Sequence, residues 1–145
     1  MRVSIGSDHR GLPQRQVLTE ILTGLGHEVD DQGSFTEESC DYPDIAVLVS
    51  REIQQGRSDR GILVCGTGIG MSMAANRLPG IRAALVHDVP SALLSRQHNN
   101  SNVLCLAGND FDPENYREIV TAWMATEFEG GRHQRRVDKI EHLND

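Results

Sequence analysis

Five short runs rich in β-branched and aliphatic residues (Val3–Ser7, Glu28–Asp30, Gly61–Cys65, Ala83–Val86 and Asn102–Ala107) are separated by segments with a helical period. Strands spaced in this way cannot pair as tight hairpins. Each must cross over and return in the same direction, which builds a parallel sheet with helices on both faces. The period is legible in Leu18, Ile21, Leu22 and Leu25, and again in Ile45, Leu48, Val49 and Ile53, so both segments are predicted to be amphipathic helices. A later segment carries Tyr116, Ile119, Val120, Trp123 and Met124. It opens on Asp112-Pro113-Glu114, a capping residue followed by proline where a first helical turn tolerates one. Gly130-Gly131 then breaks the series before an appended stripe of Val137, Ile140 and Leu143. The pattern predicts an α/β fold with a five-stranded parallel sheet and an added C-terminal helix.

A chain of 145 residues suits one domain, 1–145. Its net charge of −7 repels a phosphodiester backbone, so no nucleic-acid partner is expected. No apolar run approaches the roughly 18 residues of a membrane span, and charged residues follow Met1 at once, which points to a cytoplasmic chain without a targeting segment. Cys40, Cys65 and Cys105 are odd in number and lack CxxC spacing, against a disulfide framework or zinc knuckle. Lys139 is the only lysine against thirteen arginines, which removes lysine Schiff-base chemistry. The long connection Asp31–Tyr42 carries Glu37, Glu38 and Asp41, read as a solvated face; no metal is assigned.

The sharpest local feature is Ile62-Leu63-Val64-Cys65-Gly66-Thr67-Gly68-Ile69-Gly70, an apolar strand that ends in cysteine and a glycine turn entering a helix. Ligands of open parallel sheets bind at such strand ends. Glycines admit an anion to the backbone N–H groups, and the helix N-terminus lowers the pKa of a nearby thiol, making Cys65 a candidate base or nucleophile. The plain alternative is a packing turn with an inert thiol, which is also the reading for Cys40 and Cys105. A dinucleotide site fits less well: the spacing is GxGxG in mid-chain, and the acidic ribose clamp would have to be Asp88. Ser7-Asp8-His9-Arg10-Gly11 follows the first strand, with Asp8 either a ligand or a helix cap. His98-Asn99-Asn100 precedes the last strand, and these signals are expected to converge on one sheet edge. Arg132 and Arg136 stand four apart, on one helix face, where two guanidinium forks can grip one phosphate. Residues 130–145 hold four basic and three acidic side chains, a small net positive tail on an acidic chain.

In this order, Ser7-Asp8-His9-Arg10-Gly11, Asp41-Tyr42-Pro43-Asp44, Cys65-Gly66-Thr67-Gly68-Ile69-Gly70, Ser95-Arg96-Gln97-His98-Asn99-Asn100 and Glu129-Gly130-Gly131-Arg132-His133-Gln134-Arg135-Arg136-Val137 resemble the type B ribose-5-phosphate isomerases and their galactose-6-phosphate isomerase relatives. The resemblance spans nearly the whole chain. It implies a Rossmann-like three-layer α/β/α sandwich, assembled as a homodimer or a dimer of dimers with sites between subunits. It further implies that Cys65 moves a proton between C1 and C2 of a sugar phosphate and that His98 opens the furanose ring. Asp8 and His9 would hold the substrate, the backbone of Gly66, Thr67, Gly68, Ile69 and Gly70 the enediolate, and Asn99 the sugar oxygens. The Thr67 hydroxyl would assist transfer between oxygens, Arg132 and Arg136 would bind the phosphate, and Tyr42 would lie near the site. No cofactor is implied. His98 and Asn99 would reach into the partner's cradle.

The chain departs from the family at Asn109, where relatives carry an arginine that reaches the phosphate from the neighbouring subunit. That departure keeps other phosphorylated aldoses (galactose 6-phosphate, allose 6-phosphate, a tetrose phosphate) open as substrates. A non-catalytic sugar-phosphate-binding module is the remaining alternative; it would need neither Cys65 nor His98.

Overall fold

The computed structural model describes residues 1–145. Its elements are β1 (Arg2–Ser7), α1 (Leu12–Gly24), β2 (Glu28–Asp31), α2 (Tyr42–Gln54), β3 (Arg60–Cys65), α3 (Ile69–Ala75), β4 (Ala83–Leu85), α4 (Val89–Gln97), β5 (Val103–Ala107), α5 (Pro113–Ala125) and α6 (Arg132–Glu141). The five strands form one sheet in the order β2-β1-β3-β5-β4, and every pairing is parallel. Alternate side chains of the central strands feed two cores. Ile62 and Val64 of β3 meet α1 and α5 residues such as Leu18, Ile119 and Trp123, while Leu63 and Cys65 meet Ile45 and Val49 of α2 and Met71 of α3. Because both faces are covered, β3 is buried along its whole length and reads as an apolar run from Gly61 to Cys65 after Arg60. No helix is long and apolar enough to cross a membrane.

Two expected core positions face out. Leu25 is the C-cap of α1, past the last turn that can reach the sheet, and is 41% exposed. Leu48 is 42% exposed because the buried stripe of α2 runs through Ile45, Ala46, Val49 and Ser50. Proline begins α2, α4 and α5 in the first turn, and Asp88 and Asp112 cap α4 and α5 through the N–H groups of Ser91 and Glu114. Asp88 is thus a helix cap, which accounts for its place in the sequence without a ribose clamp.

Parallel crossovers run each helix back against its strands, so the loops divide between two edges. At the edge where strands end, Ser7 N donates to Gly33 O (2.7 Å), Gly108 N to Cys65 O (2.8 Å) and Asn109 N to Gly66 O (3.0 Å). At the edge where strands begin, Gly61 N donates to Asn102 O (2.9 Å), Arg82 N to Asn102 Oδ1 (2.8 Å) and Glu129 N to Gln97 O (3.1 Å). The six residues of β3 separate the two edges by about 20 Å at ~3.3 Å per residue.

Candidate active site

Cys65 stands at the strand-end edge, 7% exposed, and helps line a cavity of about 110 Å³ with Asp8, Arg10, Gly11, Gln14, Gly66, Gly108 and Asn109. The turn after it depends on glycine. Gly68 has φ +79°, and a Cβ there would lie 2.7 Å from Leu85 Cδ1 and 3.0 Å from the Leu106 carbonyl. A Cβ on Gly70 would meet the Tyr42 ring at 2.5 Å, which places Tyr42 directly over the turn. First-turn amides of a helix lack intrahelical acceptors. One of these, at Ile69, donates to Thr67 Oγ1 at 3.2 Å.

Asp8 is not the cap of α1, whose N-cap is Gly11; its Oδ1 accepts from Arg10 N at 3.1 Å and shapes the loop instead. His9 Nδ1 accepts from Cys40 N at 3.3 Å, so the long connection after β2 braces this loop. Arg15, 1% exposed, donates to Asp31 Oδ1 (2.9 Å) and Ser7 Oγ (2.6 Å) and ties α1 to the ends of β1 and β2. Glu37, Glu38 and Asp41 are exposed, as a solvated face should be. Of the other thiols, Cys105 is fully buried, and burial, with the neighbouring Cys65, pushes its pKa up, as an inert core thiol requires.

The second group lies at the opposite edge. His98 is the C-cap of α4, and Asn99 is exposed beside it. The turn is held by Arg96, which donates to Asn100 Oδ1 (2.9 Å), Ser101 O (2.6 Å) and Thr126 O (3.1 Å). The His98 ring stacks on that of His133 with centroids 4.2 Å apart and planes 14° apart. Arg132 and Arg136 are exposed on α6. Burial, then His98, Arg132 and Arg136, hold the His133 imidazole below the ordinary histidine value, against the opposing pull of Glu129, whose carboxylate is 3.8 Å away. One donor atom each of His98, Glu129 and His133 lie within 4.8 Å of one another, a spacing that could hold a metal ion. Two guanidiniums beside a single carboxylate make the position unfavourable for a further cation.

The expectation that all signals converge on one edge is therefore corrected. Asp8, His9, Tyr42, Cys65, the 66–70 turn and Asn109 assemble in one place, whereas His98, Asn99, Arg132 and Arg136 assemble at the other end of the sheet. The reason is topological: a residue at a helix C-terminus in a parallel crossover sits where strands begin. Asn109 stands where the resemblance implies an arginine that reaches toward a neighbouring subunit, and here it lines a cavity of its own chain. Its Nδ2 is 3.1 Å from the position a Gly66 Cβ would take, within the Cys65 cavity of the same chain. Sequence reasoning passed over Gln14, whose Nε2 donates to Gly108 O at 3.0 Å and whose Oε1 has no partner. It also gave His133 no role, because its partner is distant in the chain and only the stacked geometry connects them.

A five-stranded parallel sheet with a glycine turn and a cysteine at the end of its central strand defines an α/β protein with a candidate ligand site at its strand ends. The family model described as Ribose/Galactose Isomerase matches residues 3–140, and the chain belongs to that family. It is 42% identical over 139 residues to ribose-5-phosphate isomerase B of Escherichia coli (strain K12), covering 96% of this chain and 93% of the relative. It is 40% identical over 141 residues to D-erythrulose-4-phosphate isomerase of Pectobacterium atrosepticum, covering 97% and 93%. The solved ribose-5-phosphate isomerase B of Mycoplasma genitalium with bound ribulose-5-phosphate superposes with a TM-score of 0.92 at 42% identity, over 98% of this chain and 95% of that one.

Proposed function

We propose that this chain is an aldose–ketose isomerase that interconverts ribose 5-phosphate and ribulose 5-phosphate through a cis-enediol(ate), acting in the cytoplasm. The observation that carries the reading is Cys65 at the end of β3, sharing one small cavity with Asp8, Gly66 and Asn109. The Cys65 thiolate takes the proton from C2 as the C1 carbonyl becomes the enediolate oxygen, and returns it to C1. The hydroxyl proton of O2 passes to O1, a transfer within reach of a hydroxyl such as that of Thr67. Amide donors of the 66–70 turn meet the developing negative charge, the commonest large contribution to such a step. Asp8 and His9 hold the sugar, with Tyr42 over the turn. Ring opening precedes this chemistry and needs an acid or base at the ring oxygen, the role assigned to His98, with Asn99 on the sugar oxygens and Arg132 and Arg136 on the phosphate.

One chain keeps these two groups at opposite sheet edges, so the reading requires a homodimer, or a dimer of dimers, in which the His98 end of one protomer covers the Cys65 cavity of its partner. The apolar surface supports it. A groove of about 700 Å³ runs along the edge strand β4, lined by Leu85, Leu94, Ile140 and Leu143 among others.

Cys65→Ala should lower solvent-deuterium exchange at C2 of ribose 5-phosphate by about 10²–10⁴-fold, the usual loss with a general base, and leave binding of a phosphate competitor intact. Undiminished exchange would refute the assignment. Asn109 favours a second reading, a shifted aldose phosphate, and a relative named for a four-carbon substrate gives it weight.

A further inference from the structure

We propose that His133 is a positioning residue for ring opening: its imidazole, stacked face to face on His98, fixes the ring plane from which His98 acts on the sugar. The inference rests on the reading of His98 given above and adds a residue to it. Stacked rings at 4.2 Å and 14° leave His98 little freedom to turn about its own side-chain bonds. The backing is itself anchored. Glu129 N donates to Gln97 O at 3.1 Å, which ties the connection before α6 to the last turn of α4. Gly130 and Gly131 then turn the chain with φ +69° and +56°, and nothing lies within 4 Å of a Cβ at either, so their requirement is conformational and serves to aim α6. His133 N donates to Gly130 O at 3.0 Å, and Arg82 binds Glu141 at 2.6 Å at the far end of the helix.

His133 is 7% exposed, whereas His98 is half-buried, so His98 offers its ring to a ligand and His133 stands behind it. The groups facing His133 are His98, Glu129, Arg132 and Arg136; their balance with burial favours an uncharged ring. An uncharged ring lets His98 take up a proton without a second imidazolium against its face. Misplacement of a catalytic group by about 1 Å commonly costs on the order of 10²-fold, so loss of the stack should be visible in ring opening alone.

The test uses the full-length Cys65→Ala protein, which keeps His98 but lacks the C2 base, and reads exchange between the α and β furanose forms of ribose 5-phosphate by carbon-13 NMR. Adding His133→Ala should slow the enzyme-dependent exchange about tenfold or more, and His133→Phe, which restores a flat uncharged ring, should recover most of it. Thermal melts of both variants check that α6 remains docked. The inference is overturned if His133→Ala leaves exchange unchanged. It is overturned equally if Phe and Ala lose it alike while ribose 5-phosphate binding weakens, because His133 would then be a phosphate ligand. Parallel measurement of His98→Ala separates the two levels: if it does not slow exchange, the reading of His98 fails and takes the inference with it. If it does while His133→Ala has no effect, only the inference fails. Ribulose 5-phosphate appearing in the Cys65→Ala background would instead report failure of the base assignment.

Discussion

Asn109 lies over Gly66 in the Cys65 cavity, an amide at the position where the family resemblance implies a cation. A charge-assisted hydrogen bond is worth roughly 1.5–3 kcal/mol. Asn109→Arg is therefore expected to lower KM for ribose 5-phosphate about tenfold or more with little change in kcat, the signature of uniform binding. Steady-state kinetics on a panel of sugar phosphates checks it. If ribose 5-phosphate is unaffected and turnover of another aldose phosphate falls, Asn109 selects the substrate and the first-choice sugar is wrong. Gly68 makes a different demand two residues further along the turn. Its φ of +79° strains any residue with a side chain, and the added Cβ would press on the Leu106 carbonyl. Gly68→Ala should destabilise the protein by about 2 kcal/mol or more, read as a lower denaturation midpoint at constant m-value.

Among the elements, α5 ends without a glycine; its C-cap is Thr126 in an extended conformation. The carbonyls of its last turn are met by Arg60 from the start of β3, which donates through Nη1 to Trp123 O (2.9 Å) and Met124 O (3.3 Å) and lies 5.2 Å above the Trp123 ring. Arg60 is 6% exposed, and burial lowers its pKa. Arg60→Met keeps the apolar stem but leaves two buried carbonyls unpaired. The expected cost is about 2–3 kcal/mol, with amide exchange accelerating first in the last turn of α5. A uniform loss of protection across the sheet would show that the arginine acts on the core and not on the helix end.

For the whole molecule, the stripe Val137, Ile140 and Leu143 is only partly covered. Val137 is 4% exposed, but Ile140 is 48% and Leu143, beyond the end of α6, is 75%. Leu94, Ile69 and Met73 are also exposed, at 48%, 46% and 67%. Apolar surface of this kind around an edge strand is what association buries. Sedimentation should find a species of at least twice the 16.0 kDa chain mass. Leu94→Asp should shift it toward monomer and reduce activity in parallel, since in the proposed dimer each protomer supplies what its partner's cavity lacks. An active 16.0 kDa monomer at assay concentration would defeat the dimer reading.

The amino-acid sequence alone determined the features written into neighbouring residues. Alternation of period fixed a five-stranded parallel sheet, Asp112-Pro113 marked the start of α5, and the glycine turn after Cys65 marked the candidate ligand edge. Such signals are legible because strand period, capping and positive φ are local properties of a few consecutive residues. The i, i+4 spacing of Arg132 and Arg136 already suggested a phosphate grip, whereas the role proposed for His98 came from the family resemblance, because no local pattern carries it. Only the tertiary structure decided that His98 and Arg132 sit at the edge opposite Cys65, that His133 backs His98, and that Asn109 turns into its own chain's cavity. Those relations depend on which way each crossover returns and which side chains of distant segments then meet. Period cannot express them, because the same stripe of leucines can face a sheet, as Leu18 does, or solvent, as Leu48 does.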